Sequence, residues 1–93
     1  MIQSFGDKDT ELLFNRERIK KLPTGLFHRA RTKLLIVNAA ANESDLRIPP
    51  GNHFEKLKGN KKGWCRIRIN DQWRIIFKWA EANAYAVTIT DCH

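Results

Sequence analysis

Trp64 to Trp79, WCRIRINDQWRIIFKW, leaves this chain little choice of fold. Cys65, Ile67 and Ile69 alternate with Trp64, Arg66 and Arg68. After Asn70-Asp71-Gln72 the alternation resumes, with Trp73, Ile75, Phe77 and Trp79 set against Arg74, Ile76 and Lys78. Period-two runs of β-branched and aromatic residues on both sides of an Asn/Asp turn predict a β-hairpin. Successive strand residues point to opposite faces. One face therefore needs a core, while the other gathers Arg66, Arg68, Arg74 and Lys78. Such a face attracts polyanions.

The flanks extend this sheet. Tyr85, Val87 and Ile89 alternate with Ala86, Thr88 and Thr90, which predicts a last strand ending at Asp91-Cys92-His93. His53 to Leu57 reads as a short strand before the Gly/Lys loop Lys58-Gly59-Asn60-Lys61-Lys62-Gly63. Pro49-Pro50-Gly51-Asn52 makes a stiff loop ahead of it. The N-terminal half reads as helical. Met1 to Phe5 forms a brief strand ended by Gly6, and Asp7 to Thr10 supply capping residues. A first helix is expected to run from Leu12 toward Lys21, its basic end suiting the helix dipole. Thr24 is expected to cap a second helix, with Leu26, Ala30, Leu34, Val37 and Ala41 forming an apolar stripe. Glu43 to Leu46 adds a helical turn. The fold class is thus α+β, with two helices packed on one face of a small antiparallel sheet. Residues 1–93 make one domain.

Lys plus Arg number 17 against 10 Asp plus Glu, a formal net charge of +7. The cations cluster on the hairpin and on the second helix, where Arg29, Arg31 and Lys33 share a flank. A nucleic-acid partner, an acidic protein partner, or both would fit. No run approaches the ~20 apolar residues of a membrane span; a cytoplasmic protein without a membrane role is expected. Cys65 falls in the core register and behaves as a small hydrophobe. No metal pattern is present: His53 and His93 are isolated and there is no CxxC or HExxH. No phosphate-binding glycine fingerprint occurs either, and no cofactor is expected.

One constellation can do chemistry. If neighbouring strands pair in chain order, Glu55 and Lys58, the three hairpin arginines, and Asp91, Cys92 and His93 converge on one polar face. Cutting RNA without metal needs a base for the 2′-hydroxyl, cations on the phosphate, and an acid for the leaving 5′-oxygen. Carboxylates and histidine serve the first and third needs, Arg and Lys the second. The residues alone leave a nuclease and a nucleic-acid-binding module both open.

Leu57-Lys58-Gly59, the block Arg66 to Phe77, the terminal Asp91-Cys92-His93 and the Pro-Pro-Gly-Asn run together resemble the HigB branch of the RelE-like bacterial toxins. The resemblance spans Ile2 to the C-terminus. It implies a RelE-like microbial RNase fold and metal-independent cleavage of mRNA in the ribosomal A site by 2′-hydroxyl attack. It also implies a HigA-like helix-turn-helix antitoxin as partner, with operator DNA bound only through the antitoxin complex. Carried over by position, Lys58 and Arg74 match phosphate-handling cations, and Asp91 and His93 match the outer members of a terminal Asp-Tyr-His. Gln72 matches a polar site residue. Two positions depart: Cys92 stands where Tyr is usual, and Glu55 where some members carry His. A thiol cannot stack on a base as a phenol does and is a poor proton donor there. Arg66, Arg68, Lys61, Lys62, Arg29, Arg31 and Lys33 would contact RNA, the helix residues on the ribosome. Loss of cleavage at Cys92 would leave an RNA- or antitoxin-binding protein of the same fold.

Overall fold

A computed structural model of the chain describes residues 1–91; Cys92 and His93 lie outside the described residues. The expected hairpin is the centre of the molecule. Its strands, labelled β2 (Trp64–Arg68) and β3 (Trp73–Ala80), pair antiparallel, with Cys65 opposite Phe77, Ile67 opposite Ile75 and Arg68 opposite Arg74. The Asn70 side chain sets the turn, its Oδ1 accepting from the backbone N–H of Gln72 (3.0 Å) and of Trp73 (2.7 Å). Asparagine closes such turns because its short carboxamide mimics a backbone carbonyl. On one side lies β1 (Glu55–Lys56), on the other β4 (Asn83–Asp91). The sheet order is β1-β2-β3-β4, all antiparallel, as the chain order predicts. β1 is shorter than expected. His53 adopts a left-handed conformation (φ 46°), so it stands outside the strand and shares no face with Glu55.

β3 and β4 join through Glu81-Ala82, both at positive φ (52° and 64°), between paired Ala80 and Asn83. Two residues at positive φ match the right-handed twist of the flanking strands. Next, β4 departs from simple alternation. A register shift opposite Ile76–Lys78 coincides with Ala86 at φ 53°. A bulge adds one residue and reverses the facing of the strand residues beyond it. Ala84 and Val87 are both buried as a result, and Tyr85 lies opposite Lys78 on the sheet's free side, not in the core.

The outer edge of β4 is covered by the N-terminus. Ile2 and Phe5 make parallel bridges to Ala84 and Val87. The outward N–H groups of Ala84, Ala86, Val87 and Ile89 donate to Met1 O, Ser4 Oγ, Ser4 O and Thr10 Oγ1, at 2.8 to 3.1 Å. Gly6 is required here, because a Cβ would collide with Thr88 Oγ1 and the Ala86 carbonyl oxygen.

Asp7 then caps α1 (Lys8–Phe14), accepting from Thr10 N at 3.0 Å. The helix stops seven residues short of Lys21. Arg16 is left-handed (φ 67°), its N–H bonded to Leu13 O, and Glu17 N reaches back to Leu12 O. These two bonds make a Schellman ending, with Arg16 where glycine is usual. The basic residues beyond it are therefore not the helix's charged end, and Lys21 instead returns to the N-cap Asp7 at 2.5 Å. A 3-10 turn over Thr24–Leu26, without a side-chain cap, leads into α2 (Phe27–Ala39). α2 buries Ala30, Leu34 and Val37; Ala41 lies past its end and is exposed. These residues share a core with Leu13, Leu46, Ile67, Ile75, Phe77 and Ile89, and α1 and α2 both contact β4. A short α3 (Glu43–Leu46), capped by Asn42, forms where a helical turn is expected. No helix among the described residues is long and apolar enough to cross a membrane.

Candidate active site

With the apolar side of the sheet covered by helices, the other side carries Glu55, Arg66, Arg68, Arg74, Ile76, Lys78, Thr88 and Thr90. Cross-strand register arranges them in rows. Glu55, Arg66, Ile76 and Thr88 form one row, and Arg68, Arg74 and Thr90 the next. Directly opposed residues bring their Cβ atoms to about 5 Å, so Arg68 and Arg74 stand side by side.

The partners of the arginines separate them by role. Arg66 Nη2 contacts both Glu55 oxygens, at 3.1 and 3.0 Å. Arg68 pairs with Asp71 in the turn. Arg74 donates to two backbone carbonyls, Asn70 O and Trp73 O, the latter at 3.1 Å. Among the described residues its guanidinium is oriented by neutral acceptors, while Arg66 and Arg68 each pair with a carboxylate. A half-buried guanidinium, fixed by carbonyls and not by an acid, is prepared for a phosphate, which it can grip through two parallel N–H donors. At about 4 Å and an effective dielectric near 20, a unit charge pair is worth roughly 4 kcal/mol.

Gln72 and Asp91 lie at the end of these rows, and the register gives Asp91 the face of Trp73, not the face of Arg74 on which it was expected. Gln72 Nε2 donates to Asp91 Oδ2 at 3.1 Å, so the carboxylate at the end of β4 is oriented from the hairpin turn. Asp91 lies opposite Trp73, one residue along β3 from Arg74. Lys58 precedes the Gly59–Lys61 turn beyond β1 and is exposed. Lys61 sits 5.4 Å from the Trp64 ring centroid, a cation–π contact that ties this loop to the hairpin; Lys62 is exposed beside it.

The helix-borne cations divide. Arg31 is committed to the fold: its Nε donates to Leu13 O at 3.0 Å, satisfying a carbonyl at the end of α1. Lys33 reaches Asn52 Oδ1 at 2.5 Å. Burial first, and then the neighbouring Arg29, lower the Lys33 ammonium's proton affinity. Sequence reasoning overlooked Asn52 itself, fully buried with its amide donating to Leu46 O (3.0 Å) and Ile48 O (3.1 Å). An asparagine closing a Pro-Pro-Gly run was the available signal. Cys65 is buried as expected. Desolvation, with a smaller push from Glu43, raises its thiol to about 11, which keeps it an unreactive thiol. Among the described residues no group of three His, Cys, Asp or Glu side chains could hold a metal ion. The Cys92 and His93 assignments fall outside the described residues.

Comparison with known proteins bears on the family and the fold. Residues 3–93 match the family model for the HigB-like RelE-like toxin of type II toxin–antitoxin systems. The chain is 47% identical over 85 residues to Toxin HigB-1 of Vibrio cholerae, covering 90% of each chain. It is 28% identical over 93 residues, the whole of both chains, to the protein named Endoribonuclease HigB of Proteus vulgaris. A crystal structure of a YafQ mutant from E. coli superposes with a TM-score of 0.63 at 14% identity, covering 98% of this chain and 91% of that one, and shares the fold. An α+β sheet with a basic free face and a family match along nearly its full length place this chain among the HigB-like toxins of type II toxin–antitoxin systems.

Proposed function

We propose that the protein is an endoribonuclease that cuts mRNA on the ribosome, in the A site, without a metal ion. The observation that carries this reading is Arg74, held by neutral carbonyls beside Arg68 on a face free of helices. In the proposed reaction the 2′-hydroxyl attacks the adjacent phosphorus and loses its proton to a base. The P–O5′ bond breaks, and the leaving oxygen takes a proton from an acid. The products are a 2′,3′-cyclic phosphate and a 5′-hydroxyl. Arg74 and Lys58 stabilise the charge that builds on the phosphoryl oxygens. Asp91, His93 and Glu55 are the candidates for the two proton transfers, with Glu55 freed from Arg66 when RNA arrives. Gln72 orients Asp91. Arg66, Arg68, Lys61 and Lys62 line the RNA path.

As a type II toxin the protein has an antitoxin partner. We take that partner to be a HigA-like helix-turn-helix protein, and the site of action to be the cytoplasm. The test is brief expression in bacteria with mapping of message 5′ ends, wild type against Arg74→Ala. Cuts inside coding regions that require Arg74 and ongoing translation are expected. Growth arrest by the wild type without new 5′ ends would overturn cleavage. It would favour an RNA- or antitoxin-binding protein, the reading that Cys92 in place of tyrosine suggests.

A further inference from the structure

A second cationic feature lies beside the candidate active site. β1 pairs only with Cys65 and Arg66, so beyond them the outer edge of β2 is left to other elements. The Pro50–Asn52 turn packs beside it. A cavity of about 250 Å³ opens there, lined by Arg29, Lys33, Gly51, Arg68, Ile69 and Asn70. Three of these six residues are cations; Arg68 is paired with Asp71 in the turn, so Arg29 and Lys33 supply the excess positive charge.

The cleft is built, not incidental. Lys33 is half-buried, and its ammonium is pinned by Asn52 Oδ1, an acceptor that cannot turn away because its own amide is bonded to Leu46 O and Ile48 O. An ammonium carries three donors, and Asn52 takes one. Arg29 stands one helical turn earlier on the same face, a spacing at which like charges repel. Burial of Lys33 and, after it, that repulsion disfavour its charged form, and an anion held between the two cations would offset the repulsion and favour the ammonium. Arg68 joins the cleft to the active face, since it is the cross-strand partner of Arg74.

We propose that this cleft binds a backbone phosphate of the RNA, at a position other than the one cleaved, and so fixes which phosphate meets Arg74. The inference rests on the cleavage reading above and adds a second contact to it. Phosphate contacts of this kind set register and orientation and carry no base information. Continuity with Arg74 through Arg68 favours RNA over an acidic protein segment as the occupant.

The test uses a single-stranded RNA oligonucleotide with every 2′-hydroxyl methylated, so that it binds without being cut. Affinity is measured across a salt series for wild type, for Arg29→Gln/Lys33→Gln and for Gly51→Asp. A Cβ at Gly51 meets open space, so Gly51→Asp places a carboxylate at the cleft while leaving the Lys33–Asn52 bond intact; it decides the matter if the double variant folds poorly. One lost phosphate contact lowers the slope of log affinity against log salt by about 0.7 for single strands. Both cleft variants should show that loss, and Arg74→Ala combined with either should lose a further increment. A wild-type slope in both variants, with message cleavage by the wild type intact, overturns the cleft and leaves the cleavage reading standing. Unchanged RNA binding with weakened antitoxin binding overturns it in favour of an acidic protein segment. A wild type that neither binds nor cuts RNA removes both readings together.

Discussion

Asn52→Ala should be among the most destabilising single changes in the described chain, and the structure gives its size. The side chain is fully buried and makes three hydrogen bonds, two to the carbonyls of Leu46 and Ile48 and one from the Lys33 ammonium. Alanine removes all three and leaves their partners unsatisfied. Neutral bonds contribute about 1 kcal/mol each, and the partly exposed charged one about 1.5 kcal/mol, for a total near ~3.5 kcal/mol. A domain of this size has roughly 5–15 kcal/mol in all. The melting temperature should fall by on the order of 15–25 °C. Urea titration of wild type, Asn52→Ala, Lys33→Met and the double variant checks the origin of the loss. Once Asn52 is gone, Lys33→Met should cost almost nothing more, because its bond has already been broken. A loss below about 1 kcal/mol for Asn52→Ala, or additive losses in the double variant, would refute the idea that this asparagine holds both the loop before β1 and Lys33.

Four other perturbations probe separate parts of the molecule. Ala82→Gly should stabilise the fold by about 1 kcal/mol, read as a higher urea midpoint with an unchanged slope, because Ala82 sits at φ 64° where a Cβ is unfavourable. Gly6→Ala should cost roughly 1–3 kcal/mol by overpacking against Thr88 and the Ala86 carbonyl, read from the same titration. At Asp7, burial pushes the carboxyl up, but the hydrogen bonds from Lys21 and Thr10 prevail and hold it below the ordinary 3.8. Its contribution is therefore complete above that pH and is lost as the pH falls through the lowered value. Asp7→Asn keeps a capping side chain, and should flatten the acid end of the stability profile. In a Cys92→Ser background, Cys65 should resist alkylation at mildly alkaline pH and react once urea unfolds the chain, since burial raises its thiol to about 11; rapid reaction of the native protein would contradict its place in the core.

Legibility from residues alone divides along physical lines. The hairpin, the sheet order and the burial of Cys65 were legible because strand periodicity depends on local alternation, and neighbouring strands pair in chain order. Three features were not. The end of α1 depends on Arg16 adopting a left-handed conformation, and the bulge in β4 depends on Ala86 doing the same; neither residue signals this as a glycine would. Simple alternation groups Tyr85 with Val87 and Ile89, yet Tyr85 lies opposite Lys78 on the free side. The third concerns charge. Arg31 and Lys33 look alike on a helix flank, yet one is committed to Leu13 O and the other to Asn52, partners 18 and 19 residues away. Within the candidate site, the chain order brought Glu55, Arg66, Arg68 and Arg74 to one face, while Asp91 fell in the register of Trp73. It could not show that Arg74 rests on carbonyls while Arg66 and Arg68 rest on acids.

The covered edge of β4 bears on how another protein can approach. A sheet edge with unpaired N–H groups is a template on which a partner's strand can be laid, or on which identical copies can polymerise. Here the outward donors of Ala84, Ala86, Val87 and Ile89 are already taken by the chain's own first ten residues. A protein arriving on that side does not find the β4 edge open to a strand of its own. It must recognise this surface through side chains, and copies of the toxin cannot grow into a continuous sheet through that edge.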